Sequence, residues 1–150
     1  MKLNYEIEID AGTDFVWDAF TNPANMVRWM RNFESFTPKS GVPGQPGATA
    51  ELVFDENGKR VAMLETITER RDPDFLAASY ESAQGTTVIV NHFATIDDHH
   101  TRWTSWCNFT FTGVMRFLSL FISGAIRKRT EADMQRFKLM VETDLAGNGI

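Results

Sequence analysis

The stretch GVMRFLSLFISGAIRKRTEADMQRFKLMVETDL, residues 113–145, decides the fold of this sequence. Its second half carries apolar residues at helical spacing, so that one face of a helix would collect them. These residues are Ile126, Met134, Phe137, Val141 and Leu145. The spacing predicts a long helix from about Gly113 to Leu145 whose second half has one buried face.

The first half of this helix, residues 114–126, has large apolar residues on nearly every side. A helix that is apolar all round is normally covered on more than one side, so we expect the preceding sequence to wrap around it. The segment is interrupted by Arg116 and is too short to span a bilayer. The basic residues 127–129 follow it, but acidic residues come directly afterwards, so membrane contact is expected to be transient at most.

Upstream of the helix, the first forty residues predict one strand and two short helices. Residues 3–10 alternate apolar with polar side chains, which is typical of a half-buried strand. Thr13 is a candidate N-cap for a short helix that ends near Phe20. Asn22-Pro23 reads as a second cap with proline at the first helical position, and it predicts a second short helix.

From residue 33 onward the pattern is that of about six further strands joined by short turns. They are predicted near residues 33–37, 48–55, 59–69, 75–81, 86–96 and 101–112. Pro38 is expected to end the first of these strands, and the Asn57-Gly58 step predicts a tight hairpin. Residues 41–47 hold three glycines and two prolines and predict a loop. Strands in such a series form an antiparallel sheet that usually buries one face.

Length and composition limit the function. A chain of 150 residues is expected to form one domain, and its net charge of −5 argues against a general nucleic-acid binder. The single cysteine, Cys107, and the lack of an apolar core in the first residues predict a cytoplasmic protein. Dinucleotide, phosphate-loop, nucleophile-elbow and zinc motifs are absent, so no cofactor and no metal are predicted. The adjacent His99 and His100 are interpreted as part of a solvated turn. A monomer and a homodimer both remain open.

Several motifs carry a family resemblance. They are FVWDAFTNP at 15–23, Arg28-Trp29, the glycines of 40–47, Glu65 before Arg71-Asp72-Pro73, and DMQRFK at 133–138. In these features the chain resembles the START-like superfamily, also called SRPBCC or helix-grip. That superfamily includes polyketide cyclase/dehydrase-like proteins and relatives of plant pollen allergens. The resemblance extends over essentially the whole chain.

The resemblance implies an α+β helix-grip fold over residues 1–150. In this fold a curved antiparallel sheet of about seven strands wraps around a long C-terminal helix, and two short helices follow strand 1. It also implies an elongated cavity between sheet and helix. The superfamily holds binders, transporters and a few enzymes, so the fold alone does not set the function. A cavity of this kind, with apolar walls, is expected to take a hydrophobic small molecule.

Strand parity selects the side chains that we expect to line this cavity, because alternate residues of a strand share a face. From the sheet they are Met63, Glu65, Ile67, Ala78, Tyr80, Trp103, Ser105, Cys107 and Phe109, and from the helix they are Met115, Phe117, Phe121 and Ile122. Cys107 is interpreted as a small apolar wall residue, because no histidine lies near it in sequence to activate the thiol.

Three of the polar residues are candidates for acid–base chemistry. If Glu65 is buried, its pKa is raised; alternatively, it lies at a solvated strand end or pairs with an arginine. Tyr80 either donates a hydrogen bond to a ligand or packs in the core with its hydroxyl at the rim. His92 could face the cavity or the solvent.

Three functions are consistent with this reading. The favoured one is the binding of a hydrophobic or amphipathic small molecule, such as a lipid, a polyketide-like or a quinone-like compound. The second is a polyketide cyclase or dehydratase that uses Glu65 with Tyr80 or His92 as acid and base. The third is a protein-partner module that works through exposed apolar surface on the first half of the long helix.

Overall fold

The structure, a computed structural model, describes residues 1–148, and of Leu120 the backbone alone. The strands in that range are β1 (Lys2–Ile9), β2 (Phe33–Ser40), β3 (Thr49–Glu56), β4 (Lys59–Arg71), β5 (Phe75–Ser82), β6 (Gly85–Asp97) and β7 (His100–Phe111). The α-helices are α1 (Thr13–Thr21), α2 (Met26–Trp29) and α3 (Met115–Asn148), and a 3-10 turn at Pro23–Asn25 precedes α2.

All of these strands belong to one antiparallel sheet in the order β1-β7-β6-β5-β4-β3-β2. Strands β2 to β7 form a meander, and β1 closes the order by pairing with β7, where Tyr5 lies opposite Ser105. Helices α1, α2 and α3 cover the inner face of the curved sheet. The predicted α+β helix-grip architecture, with its six strands after the two short helices, is confirmed.

Two turn predictions have different outcomes. Asn57 and Gly58 both have positive φ, 57° and 86°, as the predicted tight hairpin between β3 and β4 requires. The prediction that Pro38 ends the second strand is wrong, because β2 continues to Ser40. Strand β2 lies at the edge of the sheet, where a proline costs no ladder hydrogen bond on the open side.

The entry to α1 also differs from the prediction. Gly12 occupies the N-cap position, and Thr13 is the first residue of the helix. The Thr13 hydroxyl is instead hydrogen-bonded to the hydroxyls of Thr95 (2.6 Å) and Thr101 (3.2 Å), so it fixes α1 to β6 and β7. The second predicted cap is confirmed, since Asn22 Oδ1 accepts a hydrogen bond from the backbone N–H of Ala24.

The second half of α3 packs on the sheet as its spacing predicts. Met134, Phe137 and Val141 are buried, and Ile126 and Leu145 are partly buried against the same core. Within the described residues, no helix is long and apolar enough to cross a membrane.

The expectation that the first half of α3 is covered on more than one side is wrong. Val114, Phe117, Leu118 and Phe121 are exposed. Val114 lies in the turn just before α3, and at 3.6 residues per turn Phe117 and Phe121 lie on the helix face opposite the buried Phe137. The first half of α3 is apolar all round because one of its faces lies toward the core and another, also apolar, lies toward solvent.

An aromatic cluster joins the helices to the sheet. Phe137 of α3 lies 5.1 Å from Trp103 of β7 and 5.2 Å from Trp29 of α2, measured between ring centroids. Phe20 of α1 lies 5.0 Å from Phe93 of β6 in an edge-to-face arrangement. Such pairs add specific attraction to the burial of large apolar surface. The cluster therefore holds all three helices against β6 and β7.

Candidate functional site

A cavity of about 350 Å³ lies between the inner face of the sheet and α3. Its walls are mostly apolar and come from β3 to β7 and from the middle of α3. Leu52, Met63, Ile89, Phe109 and Ile126 are among the wall residues. The aromatic cluster closes one end, where Phe20, Trp29 and Trp103 border the cavity. Pockets that bind small molecules in proteins generally have volumes of about 300–1,000 Å³ and mostly apolar walls.

Asn91 supplies a hydrogen-bond donor to this cavity. Trp103 Nε1 donates a hydrogen bond to Asn91 Oδ1 at 2.9 Å, and both residues are buried and border the cavity. An indole N–H can only donate, so the amide oxygen of Asn91 must face the tryptophan. Within the described part of the chain, the Asn91 amide N–H groups make no hydrogen bond, and they are therefore available to an acceptor in the cavity.

Tyr80 and Glu65 form a second polar pair on the same face of the sheet. They lie opposite each other on β5 and β4, and Tyr80 Oη donates to Glu65 Oε2 at 2.7 Å. Glu65 is only 7% exposed, and no arginine pairs with it in the region that the structure describes. The structure thus decides between the alternatives for Glu65: the carboxyl is buried.

Burial is the main cause of the unusual titration of this pair. It raises the pKa of Glu65, and the hydrogen bond from Tyr80 partly offsets that rise. The pKa of Tyr80 is well above its usual range because of burial and the neighbouring Glu65. Since the Tyr80 proton is engaged by Glu65, the phenol oxygen keeps a free lone pair and can accept a hydrogen bond. The cavity therefore offers a donor at Asn91 and an acceptor at Tyr80.

An ion pair lies at the rim of the cavity, where the wall residues reach the protein surface. Arg129 of α3 lies 2.5 Å from Glu56 at the end of β3, and both side chains are about one-third exposed. Arg129 also donates to the backbone oxygen of Arg31 at 2.9 Å. A partly exposed pair of this kind contributes little to stability, so its chief effect is to link the helix to the strand at the cavity's rim.

The Tyr80–Glu65 pair gives a prediction about pKa. Replacing Tyr80 by phenylalanine removes the donor that lowers the pKa of Glu65, so that pKa is expected to rise further. The unfolding free energy near neutral pH is expected to fall by about 1–3 kcal/mol because a buried acceptor loses its partner. Carboxyl carbon NMR across a pH titration measures the first effect. Tyr5→Phe, the same substitution at the other tyrosine of the chain, is the control and is expected to leave the pKa of Glu65 unchanged.

The buried Glu65 carboxyl determines how one contribution to the stability of the protein changes with pH. A carboxyl whose pKa is raised by folding binds its proton more tightly in the folded state. Its contribution to stability is fully present below the ordinary value of 4.5 and is lost as the pH rises through the folded-state pKa. The Glu65→Gln variant lacks this titration, so it should gain stability relative to the parent protein as the pH rises through that window. A difference that stays flat with pH would contradict a buried, ionisable Glu65.

Comparison with known proteins decides the family. The family model described as "polyketide cyclase / dehydrase and lipid transport" matches residues 1–142. The chain belongs to this family. The START-like resemblance drawn from the sequence motifs is thereby confirmed. No curated protein matches the sequence.

Solved structures share the family's fold at low sequence identity. The Zhui aromatase/cyclase from Streptomyces sp. R1128 is 12% identical with a TM-score of 0.81, covering 97% of this chain and 95% of that one. The protein TTHA0849 from Thermus thermophilus is 15% identical with a TM-score of 0.78, over 96% and 99% of the two chains. Ara h 8.0201 is 11% identical with a TM-score of 0.77, over 95% and 98%. At these identities the likeness supports the fold alone.

The residues predicted from strand parity fall into three groups. Those that border the cavity are Met63, Tyr80, Trp103, Ser105, Cys107 and Phe109. Glu65 lies on the same inner face and reaches the cavity through Tyr80. Ile67 and Ala78 pair with each other on that face but are buried away from the cavity walls.

His92 and the predicted helix residues lie elsewhere. His92 pairs with Phe75 and Thr104 on the outer face of the sheet, because its neighbour Asn91 occupies the inner face. It is therefore excluded from chemistry in the cavity. On the helix, Met115, Phe117, Phe121 and Ile122 do not border the cavity. The helix side of the wall runs from Ile126 to Met134, and the following turns of α3 pack in the core instead.

Sequence reasoning missed the polar residues on β6 and at the rim. Asn91 lies two residues before the fully buried Phe93, so the parity of β6 was the signal that could have placed it inside. No sequence signal pairs Arg129 with Glu56, which are distant in the chain.

His100 Nδ1 lies 2.7 Å from Asp97 Oδ1 in an exposed turn, as interpreted from the sequence. Among the described residues, no three His, Cys, Asp or Glu side chains are grouped as metal ligands.

Proposed function

We propose that the protein binds a hydrophobic or amphipathic small molecule in the cavity between the sheet and α3. The observation that carries the proposal is the 350 Å³ cavity, whose walls are mostly apolar. Transfer of apolar ligand surface from water to such walls is favourable, at about 25 cal/mol per Å² buried. The family description, which includes lipid transport, supports the same reading.

Asn91 and Tyr80 limit the chemical class of ligand that would fit the cavity. Asn91 offers amide N–H groups, and Tyr80 offers an oxygen lone pair. A ligand with a carbonyl near Asn91 and a hydroxyl near Tyr80 would satisfy both, whereas a pure hydrocarbon would leave both without partners. Buried polar groups that stay unsatisfied reduce affinity. A polyketide-like compound meets this requirement, and so do lipids and quinone-like compounds that carry both a carbonyl and a hydroxyl.

A matched pair of naphthalenes tests the proposal. We expect 2-acetylnaphthalene to quench the tryptophan fluorescence of the protein, since Trp29 and Trp103 border the cavity. It should bind about five-fold more tightly than 2-isopropylnaphthalene, which has the same shape without the carbonyl. In Asn91→Leu the preference should disappear, while Asn108→Leu, on the outer face of β7, should retain it.

The outcomes separate the two parts of the proposal. Absence of saturable quenching by either naphthalene would contradict binding in the cavity. If both naphthalenes bind and the preference for 2-acetylnaphthalene persists in Asn91→Leu, binding in the cavity would still be supported, but Asn91 would be excluded as the donor. Melting curves of both variants show whether the loss of the Trp103 partner has disturbed the fold.

The Glu65–Tyr80 pair favours an enzyme as a second candidate function. A carboxyl with a raised pKa beside a phenol at a cavity wall is suited to proton transfer. In a cyclase or dehydratase, ionised Glu65 would accept the Tyr80 proton while Tyr80 takes a proton from the carbon next to a substrate carbonyl. The Asn91 amide would stabilise the enolate oxygen. As the carbonyl re-forms, a C=C bond would form, the C–O bond to the β-hydroxyl would break, and the proton would be delivered to that hydroxyl, which leaves as water.

Turnover distinguishes this candidate from simple binding. In an enzyme, Glu65→Gln should abolish conversion of a β-hydroxy carbonyl substrate and leave the affinity for 2-acetylnaphthalene nearly unchanged. In a simple binding protein, the parent protein itself produces no conversion of that substrate above the rate in buffer.

A further inference from the structure

The first half of α3 and the turn before it carry an exposed apolar ridge, formed by Val114, Phe117, Leu118 and Phe121. Phe117 and Phe121 are 76% and 83% exposed, and Val114 is 73% exposed. Phe117 and Phe121 project from the helix face that points away from the sheet, Leu118 lies at the edge of that face, and Val114 lies in the turn just before α3. Large apolar side chains clustered at the surface mark an interaction site more often than isolated ones do.

The charge around this ridge differs in sign from that of the rest of the chain. Residues 113–130 contain four basic and no acidic side chains. The whole chain has 15 basic and 20 acidic side chains, so the other residues have 11 and 20, a net charge of −9. The basic charge is therefore concentrated on the same segment as the exposed phenylalanines.

Two of the four basic side chains are free to meet a partner. Arg127 pairs with Glu131 and Arg129 with Glu56. Arg116 and Lys128 are exposed, and neither has an ion pair within the described residues. Lys128 follows Phe117 by eleven residues, close to three helical turns, so it extends the ridge on the same face.

We propose that the ridge docks reversibly on an anionic lipid surface. Helices that lie in a membrane interface combine apolar, often aromatic side chains on one face with lysine and arginine, as this segment does. A two-fold dimer through the ridge would place its basic charges against those of the second copy, which is unfavourable. Phosphate and carboxylate headgroups would instead neutralise them. The proposal does not depend on what the cavity binds.

Vesicle co-sedimentation tests this proposal with the intact protein. We expect the protein to sediment with vesicles of equimolar phosphatidylcholine and phosphatidylserine, and to lose most of that binding with pure phosphatidylcholine or at high salt. Replacing Phe117 and Phe121 together by serine should weaken the partition more than about ten-fold. The matched control is Leu139→Ser, an exposed apolar residue of the same helix outside the ridge, which should change little.

The charge contribution has its own pair of variants. Lys128→Glu should weaken binding to the phosphatidylserine vesicles by about five-fold or more. Lys39→Glu changes the net charge equally, but Lys39 is exposed on β2 at the edge of the sheet, so it should have a much smaller effect.

Three results would overturn the proposal. The first is no sedimentation of the parent protein with the phosphatidylserine vesicles. The second is equal loss in Leu139→Ser and in the double phenylalanine variant. The third is a concentration-dependent dimer, seen by sedimentation velocity and abolished by the phenylalanine replacements, together with no vesicle binding; this would assign the ridge to a second copy of the chain.

Discussion

Replacing Phe137 by alanine is expected to lower the free energy of unfolding by about 3–5 kcal/mol. The side chain is 0% exposed and lies between the rings of Trp29 and Trp103, at 5.2 and 5.1 Å. Its loss removes buried apolar surface and leaves a void that the rigid rings of Trp29, Trp103 and Phe20 fill poorly. Domains have about 5–15 kcal/mol of stability in total, so the variant should be close to unfolding.

Urea denaturation followed by tryptophan fluorescence measures this loss. Leu139→Ala, two residues further along α3, is the control because Leu139 is 67% exposed. Its free energy of unfolding should change by no more than about 0.5 kcal/mol. Equal effects of the two substitutions would mean that α3 does not pack on the sheet through the Phe137 face.

Replacing Ser105 by phenylalanine is expected to reduce the affinity for 2-acetylnaphthalene by about 100-fold or more. Ser105 is buried on the inner face of β7 and borders the cavity. A phenyl ring at this position would occupy the space that the ligand needs. The hydroxyl makes only a weak contact of 3.8 Å with Cys107 Sγ, so its removal leaves no strong hydrogen bond broken.

Thr104→Phe is the matched control, because Thr104 lies on the same strand with its side chain on the opposite face. Its affinity for the naphthalene should equal that of the parent protein. Unchanged affinity in Ser105→Phe, with the melting temperature preserved, would show that the naphthalene binds outside the cavity.

The sequence predicts the sheet and its inner face well because period-two alternation is a strong local signal. It assigned Trp103, Ser105 and Cys107 to one face, and all three border the cavity. The Asn57-Gly58 hairpin and the buried face of the second half of α3 follow from equally local chemistry.

The pairing of side chains across strands could not be predicted in the same way. Alternation gives the face of Glu65 and of Tyr80, but it does not give their register. The register of β4 on β5 shifts between Ile67 and Glu69, at an irregularity that no residue type marks. The hydrogen bond between Tyr80 and Glu65 depends on that register, and the Trp103–Asn91 contact depends likewise on the pairing of β6 with β7.

The prediction that the first half of α3 is covered on more than one side was wrong for a different reason. Composition reports how apolar a helix is, but not which neighbours are long enough to cover it. Phe117 and Phe121 stay exposed because the neighbouring elements cover only the opposite face of the helix. The same limit applies to Pro38, which is compatible with a strand only because β2 lies at the edge of the sheet.

Native mass spectrometry of the purified protein, with a denatured and solvent-extracted sample beside it, tests the central claim most directly. We predict one apolar adduct per chain, either co-purified or acquired during incubation with a panel of lipid, polyketide-like and quinone-like compounds, and absent after extraction. A native mass equal to that of the bare chain under every one of these conditions would contradict the claim that the cavity binds a hydrophobic small molecule.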